Sequence, residues 1–109
     1  MGYIKHHAII VTSYDKKYIK KAYLKAQKIC GAKRVSKIVE SPINIWFTFL
    51  VGPDGSKEGW LHSNIGDEQR TEFINYINSQ AYEDKSNSLS YAELFYGEDD
   101  GHARITKHN

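Results

Sequence analysis

With one cysteine among its 109 residues, Cys30, the chain can form no intramolecular disulfide, and no Cys and His spacing resembles a zinc-finger framework. No apolar run approaches the roughly 18 residues needed to cross a bilayer. The stretch "MGYIKHHAIIVTS" holds only the short apolar core "AIIV" and no cleavage-site pattern, and "YIKHH" after Gly2 lacks the Ser or Thr of a myristoylation signal. The expectation is a cytoplasmic protein with no membrane partner. Prolines number two, and no repeat, linker or low-complexity tract marks an internal boundary. A hydrophobic content of 40% with 13% aromatics suffices for one core, so residues 1–109 are expected to form a single domain.

Acidic residues are absent from Lys16 to Lys37, a stretch with nine basic ones, whereas Glu93, Glu98, Asp99 and Asp100 crowd the later part. A formal net charge of +2 therefore hides a marked electrical polarity.

What is present reads as alternating strands and helices. "HAIIV", within Tyr3 to Thr12, is a β-branched run of the kind covered on both faces. Ser13 and Asp15 then supply helix-capping side chains, and Ile19, Ala22, Tyr23, Ala26, Ile29 and Cys30 recur at spacings of three and four until Gly31. "RVSKIVE", Arg34 to Glu40, alternates as a second strand, "SPIN" turns, and Ile45 to Val51 alternates as a third. "GDEQRTEFINYINSQ" opens on acidic residues and places Phe73, Ile74 and Ile77 at helical spacing. "LSYAELFY", Leu89 to Tyr96, makes a fourth strand, and "HARITKH" pairs back as a short edge strand.

This β-α-β-β-α-β order predicts an α+β fold: a ferredoxin-like, split β-α-β sandwich with an extra C-terminal edge strand, an antiparallel sheet and two helices on one face. Right-handed crossovers place the "PDGSKEGW" loop, Pro53 to Trp60, at the same end of the sheet as His6, His7, the helix start near Asp67 and the Gly97 to His102 turn.

Three constellations follow. His6, His7, His62 and His102 with Asp54, Glu58, Asp67, Asp99 and Asp100 mix imidazoles and carboxylates along one edge, as a small metal-dependent enzyme would require. The ordinary alternative is a solvated loop edge. No nucleophile-plus-base pattern is legible, and His7 and His102 lack the Thr two places on that a two-histidine phosphoesterase needs. No catalytic residue, metal site or cofactor is assigned on this basis.

The lysine face of the first helix comes second: Lys16, Lys17, Lys20, Lys21, Lys25 and Lys28 repel one another unless an anionic partner, a nucleic acid or an acidic protein, neutralises them. Solvation alone is the simpler account of such a face. Tyr18 is placed to stack on a base, whereas Tyr23 falls on the apolar side. Third, eight Tyr and two Trp, with Trp46 and alternate positions of "LSYAELFY" on the sheet face without helices, point to a homodimer or larger assembly closed over that face. The aromatic pattern of RNA-binding sheets is absent from "INIWFTFLV".

Taken together, "HHAIIVTS" (His6 to Ser13), "SPIN" (Ser41 to Asn44), "PDGSKEGW", "GDEQRTEF" (Gly66 to Phe73) and "YED" (Tyr82 to Asp84) give a chain that resembles a family of small, mostly uncharacterised bacteriophage and prophage proteins. Two positions depart from the pattern: Ile45 stands where a glycine follows the asparagine, and Lys85 where "YEDG" is typical. The resemblance implies a phage setting, in which small proteins without a catalytic signature capture host molecules, among them nucleotide signals of bacterial immunity. The expectation is then a non-enzymatic binding protein for an anionic nucleotide. Ser56, Lys57 and Arg70 would contact phosphate, Arg70 from a place near a helix N-terminus, and Trp60 would stack on or close over the ligand.

Overall fold

The computed structural model describes residues 5–56, 59–97 and 103–109. Lys57, Glu58, Glu98, Asp99, Asp100 and His102 lie outside them. Strand β1, Lys5–Ser13, runs through the middle of the molecule because its β-branched residues bond to neighbours on both sides. Ser13 Oγ then accepts from the Asp15 N–H, and Asp15 Oδ1 accepts from the N–H groups of Lys17 and Tyr18, so helix α1 starts at Lys16 and runs to Cys30. A cap of this kind contributes about 1 kcal/mol. Gly31, at φ +92°, ends the helix in a conformation that side-chain-bearing residues avoid.

Beyond Gly31 the chain departs from the expected strand over Arg34 to Glu40. A 3-10 turn covers Ala32–Arg34, Val35 makes one isolated bridge to Val51, and the ladder of β2 is confined to Val39–Glu40. The reason is Ser36. Its N–H bonds the Leu50 carbonyl while its hydroxyl accepts from the Leu50 N–H, so a side chain replaces the ladder bond there. Strand β3 is Phe47–Val51, and the β2–β3 connection passes through Asn44 and Ile45 at φ +62° and +47°. Two successive positive φ values suit Asn-Gly, and Ile45 carries a β-branched side chain in that role.

Helix α2 spans Leu61–Ser79, five residues earlier at its start than the "GDEQ" signal suggests. Its first residues, Leu61, His62, Asn64 and Ile65, are exposed and show no stripe toward the core, so hydrophobic periodicity does not mark them. Strands β4, Leu89–Gly97, and β5, Arg104–His108, complete an antiparallel sheet of order β2-β3-β1-β4-β5.

Odd-numbered residues of β1, β3 and β4 face the helices: Ile9, Val11, Phe49, Val51, Leu89 and Tyr91 join Ile19, Ala22, Ala26, Phe73, Ile74 and Ile77 in one core. Each fully buried large side chain there contributes about 1.5–3 kcal/mol. Tyr23 packs edge-on against Phe49, as its place on the apolar side of α1 predicts. Even-numbered residues face the other way. On that face Ile10, Trp46, Leu50 and Tyr96 are exposed, and Val39 and Ile105 continue it onto the edge strands. No helix among the described residues is long and apolar enough to cross a membrane.

Candidate functional site

At the end of β3 the chain is held by a reciprocal clamp. The Gly52 N–H donates to the Arg34 carbonyl at 2.6 Å, and Arg34 Nε donates to the Gly52 carbonyl at 3.1 Å. Arg34 Nη1 also donates to Gln69 Oε1 at 2.7 Å, so one side chain ties the turn after α1 to both β3 and α2. Its remaining nitrogen, Nη2, is buried and has no hydrogen-bond partner among the described residues. A buried guanidinium nitrogen in that state is an uncommon feature of a folded protein.

The loop then turns on Asp54. Asp54 Oδ1 accepts from the Ser56 N–H at 2.9 Å and from the Ser56 hydroxyl at 2.7 Å, around Gly55 at φ +79°. The other carboxylate oxygen lies against α2, where a Cβ on Gly66 would stand 2.5 Å from it. Burial works to raise the Asp54 pKa. The Ser56 hydroxyl and N–H, with the guanidinium groups of Arg34 and Arg70, outweigh it and hold the carboxyl below its usual range. Trp60 caps α2 through its carbonyl, which accepts from the Ser63 and Asn64 N–H groups, and the residue is 49% exposed.

Together these parts enclose an open cleft of about 440 Å³ lined by Arg34, Asp54, Ser56, Trp60, His62 and Gln69, with Cys30 and Ile65 at its apolar side. Burial pushes the Cys30 thiol up, which disfavours a thiolate nucleophile.

Of the expected ligand residues, Ser56 and Trp60 line this cleft, and Lys57 lies outside the described residues. Both donors of Ser56 are committed to Asp54, leaving its hydroxyl an acceptor. Arg70 is placed differently from the expectation. It sits about two and a half turns into α2 rather than one, is 7% exposed, and bonds Glu93 Oε2 at 3.1 Å through Nε and the Asp67 carboxylate through Nη2. A guanidinium held by two carboxylates has little left to offer a phosphate. Residue spacing carried that signal, since Arg70 shares the inward stripe of Phe73, Ile74 and Ile77, and Glu93 shares that of Leu89, Tyr91 and Phe95.

Of the histidine and carboxylate edge, Glu58, Asp99, Asp100 and His102 lie outside the described residues, and the described members share no single centre. His6 lies 5.2 Å from the Tyr96 ring and His7 5.0 Å from Phe95, His62 lines the cleft, and Asp67 pairs with Arg70. Among the described residues no three metal-capable side chains converge. On α1, Lys16, Lys17, Lys20, Lys21 and Lys28 are exposed, while Lys25 is half-buried with Nζ 5.7 Å from the Tyr76 ring centroid. Tyr18, expected to be available for stacking on a base, packs edge-on to Tyr82 at 6.1 Å.

Arg34, Gln69 and the Gly66 contact were missed by sequence reasoning. "CGAKRVSK" holds no motif, and the partners of Arg34 come from elements distant along the chain. Compared with protein-family models, with curated proteins and with solved structures, the chain finds no match.

Proposed function

We propose that this is a non-enzymatic binding protein, built on a ferredoxin-like scaffold, whose cleft between Arg34 and Trp60 takes a small anionic ligand bearing a ring, most concretely a nucleotide. The β2-β3-β1-β4 part of the antiparallel sheet supports the scaffold reading, with β5 as an addition. The buried Nη2 of Arg34, without a partner among the described residues, is the observation that carries the ligand reading, because a phosphate or carboxylate oxygen brought to it would satisfy a guanidinium donor. Trp60, half exposed at the rim, offers a face for a base. In this proposal Arg34 joins Lys57 in the anion-binding role first expected of Ser56, Lys57 and Arg70. Encoded by a phage, a protein of this kind in the cytoplasm of the bacterial host would sequester a nucleotide signal of host immunity.

The test is calorimetry against cyclic and adenine-based nucleotides, with the ligand recovered afterwards. Unchanged ligand and affinity tighter than millimolar are expected, and Trp60→Ala should weaken binding at least tenfold without changing the fold. A panel in which nothing binds below millimolar overturns the reading, and converted ligand makes the protein an enzyme.

The lysine face of α1 supports a second reading, binding of nucleic acid or an acidic protein, because five of its lysines are exposed around an exposed Leu24. That reading expects duplex binding that falls steeply with salt and is lost in the Lys20→Glu, Lys21→Glu double variant.

A further inference from the structure

The chain is 26% charged, yet among the described strand residues no Asp, Glu, Lys or Arg faces away from the helices; the histidines there are His6, in register with Tyr96, and His108, in register with Ala92. The charged residues of the strands fall on the other side: Glu40 is in register with Phe47, Glu93 with Ile9, Arg104 with Phe95 and Lys107 with Glu93. The open face instead presents Ile10 and Leu50 in its middle, with Trp46 and Tyr96 toward its opposite ends, and Ile10 and Leu50 are direct partners across β1 and β3, 37% and 43% exposed. Depletion of charge, with aromatic residues retained, is what distinguishes the centre of an interface from ordinary surface.

From this face, with no Asp, Glu, Lys or Arg among its described strand residues, we infer a homodimer: a second copy of the chain packs its own open face against it, sheet on sheet. Three arguments select a copy of itself. A face without Asp, Glu, Lys or Arg offers little to attract nucleic acid, an acidic protein or lipid headgroups, whereas its own copy brings no repulsion between such groups. The lysine-rich α1 lies across the sheet from this face, since its buried residues Ile19, Ala22 and Ala26 meet the opposite side. Face-to-face pairing therefore turns both basic helices outward, as far apart as the fold allows.

Area is the third argument. Strand spacing and rise give the face a projected area on the order of 500 Å² per copy, hence on the order of 1,000 Å² for the pair, the lower bound for a specific interface. The dimer is therefore expected to dissociate on dilution, with the two sheets about 10 Å apart while associated.

Sedimentation velocity of the whole chain over a dilution series, with circular dichroism on each sample, tests this. The wild-type chain should pass from dimer to monomer on dilution. Ile10→Lys and Leu50→Glu should each shift the midpoint at least tenfold toward monomer with unchanged dichroism. Mixing the Ile10→Lys chain with an Ile10→Glu chain should restore a dimer. A wild-type chain that stays monomeric up to about millimolar concentration overturns the proposal and hands the face to a lipid surface or a foreign protein. So does a dimer that survives both folded variants, or, if the variants misfold, a wild-type dimer in which mass-resolved cross-links avoid β1, β3 and β4.

Discussion

The chain makes one turn twice, once beside the cleft and once far from it. In Asp54-Gly55-Ser56 and again in Asp84-Lys85-Ser86, the aspartate Oδ1 accepts from both the N–H and the hydroxyl of the serine two residues on, around a residue of positive φ. Both carboxyls are held below their ordinary pKa, that of Asp84 first by the Ser86 hydroxyl and then by its N–H. Their surroundings differ. Asp54 rests against Gly66 within reach of two guanidinium groups, and Gly55 meets the φ requirement without strain. The Asp84 turn stands in solvent between α2 and β4, and Lys85 holds φ +71° with a side chain attached. Identical local hydrogen bonding thus gives a connector in one place and the wall of a cleft in the other, and the neighbours decide which.

The largest effect should come from breaking what lies beneath the first turn. Glu93→Ala leaves Arg70 buried without one of its two carboxylate partners and leaves the Thr106 hydroxyl only the backbone carbonyl of residue 93, so stability should fall by about 3–5 kcal/mol in chemical denaturation. Next, Gly55→Lys copies the second turn into the first. It should cost about 1–2 kcal/mol and weaken ligand binding, because a side chain in the left-handed region is strained. The reciprocal change, Lys85→Gly, should raise stability by roughly 0.5–1 kcal/mol and leave binding untouched, and Ile45→Gly should do the same for the β2–β3 turn. Thermal melts of the three variants check all of this.

The smallest effect separates the two aspartates by pH. A depressed carboxylate pKa contributes stability that is present above the unfolded value near 3.9 and is lost as pH falls through the folded value. Melting temperatures followed from about pH 6 to about pH 2.5 should therefore fall less steeply in Asp54→Asn than in the wild type. Asp84→Asn, at a fully solvated site, should change that slope less. Equal slopes for the two variants would erase the distinction between the turns.

Much of the scaffold was legible beforehand. Asp15 and Gly31 bound α1, and the alternation of "FTFLV" and "LSYAELFY" assigns each side chain to a sheet face, because capping bonds and strand parity act over a few residues. The common end shared by the Pro53–Trp60 loop and the beginning of β1 followed from crossover handedness, and Ile9 does pair with Val51 at the last residue of β3. The early start of α2 was hidden because its first turn is exposed, and β2 was overextended because one hydroxyl, that of Ser36, interrupts the ladder.

The cleft belongs to another level. Sequence alone determined that a turn forms at Asp54-Gly55-Ser56, since that turn is made within three residues. Tertiary structure decided that Arg34 would reach across 18 residues to Gly52 and 35 to Gln69, and that Arg70 would turn inward to Glu93 and stay out of the cleft lining. A long side chain commits to whichever acceptor strand order and helix packing bring near it. No local pattern in the chain specifies that acceptor before the sheet has assembled.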